Sequence, residues 1–320
     1  MTVYQDFFEG GAGEERTLRA NVDAFERRRI IPRVLRGTGP RDLRTTLLGT
    51  DLSMPLLLAP TAFHLLAHPT GETGAAGAAA AAGIAMVVSM AATQPIEQIA
   101  DTGATLWFQL YPQPDLDFQD RLLRRVTKAG VKAIVVTVDS PVFGHRTRDL
   151  ANGFTDLPAG LTCANMDGRD IAMDDTLSWE HIDRLRAATG LPLVLKGILH
   201  PADAGLAVTH GADAVIVSNH GGRQLDGAIA TLDALPAVLQ AVGGRIPVLV
   251  DGGIRRGTDI LVALALGAAA TLVGRVGIRG LAGGPDGVRE KIENLRAQLD
   301  HALALAGAQR PADLSPDQIS

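Results

Sequence analysis

Eight short apolar runs alternate with helix-like segments along most of this chain, and this alternation constrains the fold more than any other feature. Each run has the length of a strand and is rich in valine, isoleucine and leucine. Continuous apolar runs of this kind are typical of parallel strands that are buried on both faces. The predicted strands are 55–60, 84–89, 106–111, 133–139, 191–197, 214–219, 247–253 and 270–275.

The segments between these runs have the features of helices. Most of them end in glycine, which is the usual residue just past the last turn of a helix. The predicted helices include 69–83, 117–130, 200–211 and 257–267, followed by a last amphipathic helix at 288–306.

Eight alternating β and α units predict one closed parallel barrel, a (β/α)8 fold. The alternative is an open doubly wound sheet, which ordinarily carries a glycine-rich phosphate turn after its first strand. Here the first run continues into APTAFH (59–64), which contains no glycine. The barrel is therefore the favoured fold.

Three regions follow from this reading. Residues 1–54 form a charged helical and irregular lead-in, in which FERRRIIPRVLR (25–36) is expected to be a short helix. Residues 55–306 form the barrel, with a long polar loop after the fourth strand at 151–180. Loops of this length are commonly functional lids. Residues 307–320 are a polar tail that we expect to be loose.

Charge and cysteine content exclude several classes of protein. The formal net charge of −5 offers no basic surface for nucleic acid, and the single Cys163 excludes an intrachain disulfide. The amino terminus does not have the pattern of a signal peptide, and no apolar stretch reaches the ~20 residues of a membrane helix. We expect a soluble cytoplasmic protein with no nucleic-acid partner, no membrane partner and no metal site.

Polar residues or glycines follow nearly every predicted strand, at the end where barrels of this type build their active sites. Any one of these residues has an ordinary structural explanation, but a purely structural barrel would not need the whole set. With Pro60 and Ala62, which flank Thr61 at the end of the first strand, the residues at these ends are Thr61, Ser89, Gln109, Tyr111, Thr137, Asp139, Arg146, Lys196, Ser218, Asn219, His220, Asp251, Gly252, Gly253, Arg255, Gly274 and Arg275.

The last two strands end in DGGIRRG (251–257) and VGR (273–275). Adjacent glycines allow backbone N–H groups to approach an anion, and arginine adds a forked donor. The loops after the seventh and eighth strands are the usual phosphate site of this fold. These two motifs together predict a phosphorylated cofactor or substrate.

Two charged residues and one motif have two interpretations each. Lys196 is either a surface lysine or a fixed cation inside the barrel mouth, and Asp139 is either a helix cap or the partner that orients a histidine. The motif VSNHGGRQLDG (217–227) is either a polar turn or a base, His220, beside a carboxylate-binding Arg223.

The motifs resemble those of the FMN-dependent 2-hydroxy acid oxidases and dehydrogenases, over roughly residues 5 to 305. The family includes glycolate oxidase, lactate oxidase and mandelate dehydrogenase, and it has the (β/α)8 fold. The shared motifs are SNHGGRQLDG (218–227), DGGIRRGTDI (251–260), LVGR (272–275), FQLY (108–111), TVDSP (137–141) and APTAFH (59–64).

The resemblance implies a role for each matching residue. His220 would be the active-site base, held by Asp139, and Tyr111 would hydrogen-bond the substrate near its hydroxyl group. Arg223 and Arg146 would bind the substrate carboxylate.

The same resemblance implies FMN as the cofactor. Lys196 would face the flavin N1–C2 carbonyl edge, and the backbone around Thr61 and Ala62 would face flavin N5. The other implied cofactor contacts are Pro60, Ser89, Gln109, Thr137, Ser218, Gly221, Asp251, Gly252, Gly253, Arg255, Gly274 and Arg275.

Two positions depart from the family pattern. Phe7 lies where the family usually has a tyrosine that touches the substrate carboxylate, and Ala91 lies where glycolate oxidases have a tryptophan. Both changes open apolar space near the substrate. They favour a bulky or aromatic (S)-2-hydroxy acid, in a pattern nearest to the 4-hydroxymandelate oxidases.

Molecular oxygen is the expected electron acceptor. No haem-binding domain is seen before the barrel, and loop 151–180 lacks the apolar and basic insert of membrane mandelate dehydrogenases. The alternatives are a dehydrogenase that uses a soluble carrier or quinone, and a non-redox, isomerase-like barrel that binds FMN or phosphate. The resemblance also implies a homo-oligomer, such as a tetramer.

Overall fold

The structure is a computed structural model that describes residues 3–320 and begins with two helices and a hairpin. Helix α2 buries Thr17, Asn21, Ala24 and Phe25 on one face. The helix expected at 25–36 is wrong: only 25–27 are helical, as the end of α2, and Pro32, which has no N–H and disfavours a helical backbone before it, does not permit a helix through 28–36. The four elements are α1 (Val3–Glu9), α2 (Arg16–Arg27), β1 (Thr45–Leu47) and β2 (Thr50–Leu52).

Eight parallel strands then close into a barrel, which confirms the predicted fold. Each strand pairs with the strand before it, and the last pairs with the first. All eight predicted runs are strands: β3 (Leu56–Leu58), β4 (Ala85–Val88), β5 (Leu106–Leu110), β6 (Ile134–Thr137), β7 (Leu193–Ile198), β8 (Ala214–Val217), β9 (Val248–Val250) and β10 (Ala270–Val273).

Helices connect these strands and cover the outside of the barrel. Helix α5 illustrates why they form, because the Asp115 carboxylate accepts a hydrogen bond from Phe118 N at its start and Gly130 follows its end with a φ of 91°. The helices are α3 (Gly71–Ala81), α4 (Ile96–Ala100), α5 (Leu116–Lys128), α6 (Thr147–Ala151), α7 (Trp179–Ala188), α8 (Pro201–Thr209), α9 (Thr231–Val242), α10 (Gly257–Ala265), α11 (Arg275–Leu281) and α12 (Gly284–Ala306).

The core has two parts. The larger part lies between the strands and the surrounding helices, and the smaller part fills the barrel interior around Leu57, Trp107 and Ile216. Leu47 and Leu52 of the β1–β2 hairpin belong to the interior cluster. Because this hairpin leads directly into β3, it closes the amino ends of the strands and leaves the carboxyl ends for a site.

The tail is ordered, contrary to the expectation that it is loose. Two short 3-10 turns cover Pro311–Asp313 and Pro316–Gln318, and Ile319 pairs with Ile30 in an antiparallel bridge. Gln318 is buried, and its Nε2 donates to Ala306 O at 3.0 Å. The tail can pair in this way because α2 ends early and leaves extended backbone at residues 29–31.

Within residues 3–320, no helix combines the length and the apolar character that crossing a membrane requires.

Candidate active site

A large cavity opens at the carboxyl ends of the barrel strands, where the sequence places the polar set. Its volume is about 1120 Å³. Single-ligand sites are usually about 300–1,000 Å³, so this cavity has room for a cofactor and a substrate together. Helix α1 and part of the loop 151–180 contribute to its walls.

Almost all of the site residues expected from the sequence line this one cavity. The exceptions are Asp139, which lies behind His220, and Ser218 and Asn219, whose side chains are buried. The lining residues are Phe7, Pro60, Thr61, Ala62, Ser89, Ala91, Gln109, Tyr111, Thr137, Arg146, Lys196, His220, Gly221, Arg223, Asp251, Gly252, Gly253, Arg255, Gly274 and Arg275.

His220 lies between a carboxylate and a phenol. Its Nδ1 is 2.9 Å from Asp139 Oδ1, and its Nε2 is 3.4 Å from the Tyr111 hydroxyl oxygen. An ionised carboxylate can only accept hydrogen bonds. The Nδ1 atom of His220 therefore carries the ring proton and donates a hydrogen bond to Asp139. This leaves the lone pair of Nε2 toward the cavity, where it can accept a proton.

Charges around this pair determine its protonation. Burial would raise the pKa of the Asp139 carboxyl, but the charge and hydrogen bond of His220, together with Lys196, lower that pKa to about 2. Burial lowers the pKa of the His220 imidazole below its ordinary value, and Asp139 offsets only part of this shift. The imidazole is therefore neutral at pH 7 and is available as a base.

Two arginines lie at the same end of the cavity. Arg223 Nη1 donates to the backbone oxygens of Phe7 at 2.6 Å and Gly10 at 2.8 Å, and the buried Arg146 Nε has no partner. Burial lowers the pKa of both guanidinium groups, and for Arg223 repulsion from Arg146 lowers it further. Such a pair of buried cations favours an anion between them.

A second cationic group lies at the ends of β9 and β10. Arg275 donates from Nη1 to Gly221 O and from Nη2 to Gly10 O, both at 2.9 Å, and its buried Nε has no partner. Burial lowers the pKa of Arg275 to about 10, and repulsion from Arg255 contributes to this shift. A Cβ at Gly274 would lie 3.6 Å from Thr61 Oγ1 and 3.8 Å from Ala59 Cβ, which are ordinary contacts, and Gly274 itself lines the cavity.

Lys196 is a fixed internal cation and not a surface lysine. Its side chain is 4% exposed, with Nζ 3.0 Å from Ser218 Oγ and 3.5 Å from Asp251 Oδ2. Burial would lower the pKa of this ammonium, but Asp251 and Asp139 raise it, so the group stays charged. Ser218, expected to contact the cofactor, is fully buried, and its hydroxyl oxygen accepts hydrogen bonds from Lys196 Nζ and the backbone N of His220.

Gln109 offers a donor that the protein leaves unused. Its Oε1 accepts hydrogen bonds from Ser89 Oγ and Met90 N, both at 3.2 Å. Its buried Nε2 has no partner, although the side chain lines the cavity. A buried donor without a partner is costly, so a ligand with an acceptor at this point would be favoured.

Three phenylalanines form an aromatic wall that sequence reasoning only partly found. The Phe7 ring stacks on Phe63 at 5.4 Å and lies 5.1 Å from Phe154, and Arg223 lies 5.0 Å above the Phe7 ring. Phe63 and Phe154 were not predicted as site residues. Phe63 lies within APTAFH and Phe154 within loop 151–180, but neither position alone shows that the rings meet Phe7.

Comparison with known proteins gives the same fold and a consistent group of relatives. The sequence matches the family described as FMN-dependent dehydrogenase over residues 2–320. An L-lactate oxidase of Nostoc sp. is 46% identical over 333 residues, which cover 97% of this chain and 91% of that protein. The crystal structure of mandelate oxidase with (S)-2-phenylpropionate superposes with a TM-score of 0.95 at 42% identity, covering 100% of this chain and 93% of that chain. A mandelate oxidase mutant with the C4a-OH-FMN adduct has a TM-score of 0.94 at 42% identity, covering 100% of this chain and 95% of that chain.

Proposed function

This chain belongs to the FMN-dependent dehydrogenase family, and from that premise we propose that it oxidises an aromatic (S)-2-hydroxy acid to the 2-oxo acid with oxygen as acceptor. The observation that carries the proposal is the His220–Asp139 pair beside Arg146 and Arg223 at one end of one cavity. A proton acceptor next to two buried cations suits a substrate that carries both a carboxylate and an ionisable reacting group.

The cofactor is FMN, and the residues of the cavity fit it. Arg255 and Arg275 supply half-buried positive charge for a phosphate, and Gly274 lines the cavity beside them. Gln109 Nε2 is a buried donor without a protein partner, which suits the polar edge of a flavin ring. Lys196 supplies a cation at the barrel centre, which suits a ring that becomes more negative on reduction.

Bound FMN supplies the two-electron acceptor for the reaction. His220 Nε2 accepts a proton from the substrate. Asp139, through its hydrogen bond with Nδ1, stabilises the imidazolium that results. The Tyr111 hydroxyl lies close enough to Nε2 to contact the substrate oxygen that becomes the carbonyl. Burial raises the pKa of Tyr111, so this hydroxyl stays protonated and can donate.

The two arginines hold the substrate carboxylate. The guanidinium group of Arg223 is already oriented by the carbonyls of Phe7 and Gly10, so its remaining donors are fixed before substrate binds. Arg146 brings a second guanidinium to the same end of the cavity. A planar fork of donors matches a carboxylate better than an ammonium group would.

The aromatic wall supports a bulky apolar substituent on the substrate. Phe7, Phe63 and Phe154 present rings to the cavity, and Ala91 leaves the space that a larger side chain would fill. Aromatic rings stack favourably on one another beyond the area they bury. A mandelate oxidase of the same fold is known with (S)-2-phenylpropionate, an aryl carboxylate of the proposed handedness.

Oxygen is proposed as the acceptor because the similar proteins named here are oxidases, namely L-lactate oxidase and mandelate oxidase. Reduction of oxygen by the two electrons and two protons of the substrate gives hydrogen peroxide. The proposal therefore includes peroxide as the second product.

The test is a panel of aromatic and short aliphatic 2-hydroxy acids, each in both enantiomers, mixed with the holoprotein without oxygen. We expect loss of the flavin absorbance with (S)-aryl acids, faster than with glycolate or lactate, and peroxide on readmission of air. An Ala91→Trp variant should lose the aryl preference, because the indole fills the space beside the wall. Faster bleaching by glycolate than by mandelate would contradict the substrate assignment, and bleaching that air does not reverse would contradict the acceptor.

A further inference from the structure

His220 lies in a backbone turn that an ordinary residue does not adopt easily. His220, Gly221 and Gly222 have consecutive φ values of 58°, 64° and 78°. The left-handed region is routine for glycine but unfavourable for a residue with a Cβ atom. The turn must therefore be held by its surroundings, and what holds it also determines where the imidazole lies.

Asn219 is the first part of what holds the turn. Its Oδ1 accepts a hydrogen bond from Gly222 N at 3.1 Å, and its backbone O accepts a second bond from the same N–H at 3.0 Å. Its Nδ2 donates to Ile229 O at 3.0 Å, which ties the turn to the chain that follows. The Asn219 amide is buried, so its orientation depends on each of these partners.

Asn21 completes the arrangement from outside the barrel. This residue of α2 donates from Nδ2 to Asn219 Oδ1 and accepts from Asn219 Nδ2, both at 2.8 Å. Its Oδ1 also accepts from Thr231 N at 3.2 Å, at the start of α9. Asn21 is 1% exposed, so this pair of amide bonds is shielded from water and is not readily replaced by solvent.

The backbone of α2 lies directly on the His220 turn and on the loop that follows β9. A Cβ at Gly222 would lie 2.6 Å from Leu18 N, and a Cβ at Gly253 would lie 2.1 Å from Asn21 O. Glycine at 222 therefore serves both the positive φ and the close approach of the helix. The lead-in helix and the catalytic turn fit together as one unit.

We propose that Asn21 is a positioning residue for the reaction: its paired amide bonds with Asn219 hold the left-handed turn that directs His220 toward Asp139 and the cavity. The inference rests on the proposed function for the role of His220, and it assigns a part of the reaction to a helix that precedes the barrel. Asn21 itself lies outside the cavity and would touch neither substrate nor cofactor.

The test compares Asn21→Ala with Thr17→Val in the FMN-loaded protein. Thr17 is the matched control, because it lies one turn earlier on the same face of α2 and is equally buried. Its hydroxyl bonds Gly227 N and lies near Leu225 O, beyond the His220 turn. Both variants lose buried hydrogen bonds between α2 and the loop, but only Asn21→Ala releases the turn.

In Asn21→Ala we expect kcat to fall roughly 10- to 100-fold, because small misplacements of a catalytic group have effects of this size. KM should change less, because the guanidinium of Arg223 is also held by the carbonyls of Phe7 and Gly10. The acid limb of the pH profile should move to lower pH as the imidazole loses contact with Asp139. Asn21→Asp retains the acceptor for Asn219 Nδ2 but places a second acceptor against Asn219 Oδ1 at a buried site, so its kcat should fall at least as far as that of Asn21→Ala. Equal kcat per bound FMN in Asn21→Ala and Thr17→Val would overturn the proposal.

Hydrogen exchange of the amides at 218–222 provides a readout that does not depend on turnover. We expect faster exchange at His220 and Gly222 in Asn21→Ala, and unchanged exchange there in Thr17→Val. If Asn21→Ala does not fold, the same comparison is made with Asn21→Ser, which removes the paired amide but keeps a small polar side chain. Unchanged exchange in the Asn21 variant would overturn the inference even if the wild type oxidises 2-hydroxy acids. A wild type that bleaches with no 2-hydroxy acid would instead contradict the proposed function.

Discussion

The two ends of the barrel belong to the same strands but carry opposite kinds of side chain. At the amino ends, Leu47 and Leu52 of the hairpin close the interior with apolar contacts. At the carboxyl ends, the buried Lys196 and the half-buried Arg223 and Arg275 surround an open cavity. One end thus contributes stability through burial, while the other retains enclosed positive charge that a bound anion would further stabilise.

The largest effect is expected from His220→Ala at the carboxyl end. Removing a positioned base typically costs 10²–10⁴-fold in rate, so we expect kcat to fall by about 10³-fold. The protein should stay folded and yellow, because His220 is not required for the proposed phosphate and flavin contacts. The rate of anaerobic flavin bleaching by substrate measures the loss of catalysis, and the midpoint of thermal unfolding measures whether the fold is retained.

The matched control for this variant is His64→Gln. His64 is also a buried histidine near the carboxyl ends, but it does not line the cavity and its ring nitrogens have no hydrogen-bond partner. We expect wild-type turnover from it. Retained turnover in His220→Ala would remove His220 from the mechanism.

The opposite result is expected from Leu52→Ala at the amino end. Leu52 is 2% exposed, and its truncation should lower the free energy of unfolding by about 2–5 kcal/mol through lost burial and a residual cavity. The kcat should change by less than about twofold, since the cavity lies at the other end of the strands. Urea unfolding measures the loss.

Asp51→Asn on the same strand serves as the control, because Asp51 is exposed and its replacement should stay within about 0.5 kcal/mol. A large loss of kcat in Leu52→Ala at full FMN content would show that the two ends are coupled.

Arg223→Lys should separate substrate binding from cofactor binding within the carboxyl end. An ammonium group cannot reproduce the forked donors of arginine, so substrate binding should weaken about thirtyfold, or about 2 kcal/mol. The FMN affinity should change little, because Arg255 and Arg275 lie at the ends of other strands. Titration of each variant with FMN and with substrate measures both affinities. Equal losses of the two would indicate a general disturbance of the fold.

The smallest effect is the pH dependence of kcat/KM. The pKa of His220 is lowered by burial, so the imidazole is neutral above about pH 6.5 and activity should be constant there. As pH falls through the lowered pKa the base is protonated, and the rate should fall at a pH below that of a free imidazole. Buried neutral histidines also reduce stability at acid pH, because protonation then favours the unfolded state.

The control for the pH profile is again His64→Gln, since burial also lowers the pKa of His64. If the loss of kcat/KM at low pH disappears in His64→Gln, that loss is caused by unfolding and not by protonation of the catalytic base.

Much of the architecture was determined by the sequence alone. The eight strands were predicted because strands buried on both faces need continuous apolar runs, and helix ends were marked by glycines such as Gly83 and Gly211 with positive φ. The polar residues at the strand ends were predicted to meet because a closed parallel barrel brings all its carboxyl ends to one face. His220, Arg223 and Lys196 were found in this way.

Other features were decided only by the tertiary structure. Whether Lys196 was buried, whether Phe63 and Phe154 met Phe7, and that Ser218 lay behind the cavity all depended on side-chain packing across segments. The ordered tail and the Asn21–Asn219 pair join residues that are far apart in sequence, and the two asparagines are separated by 198 positions. Local periodicity records which face of an element is buried, but it carries no information on which distant side chain provides the partner.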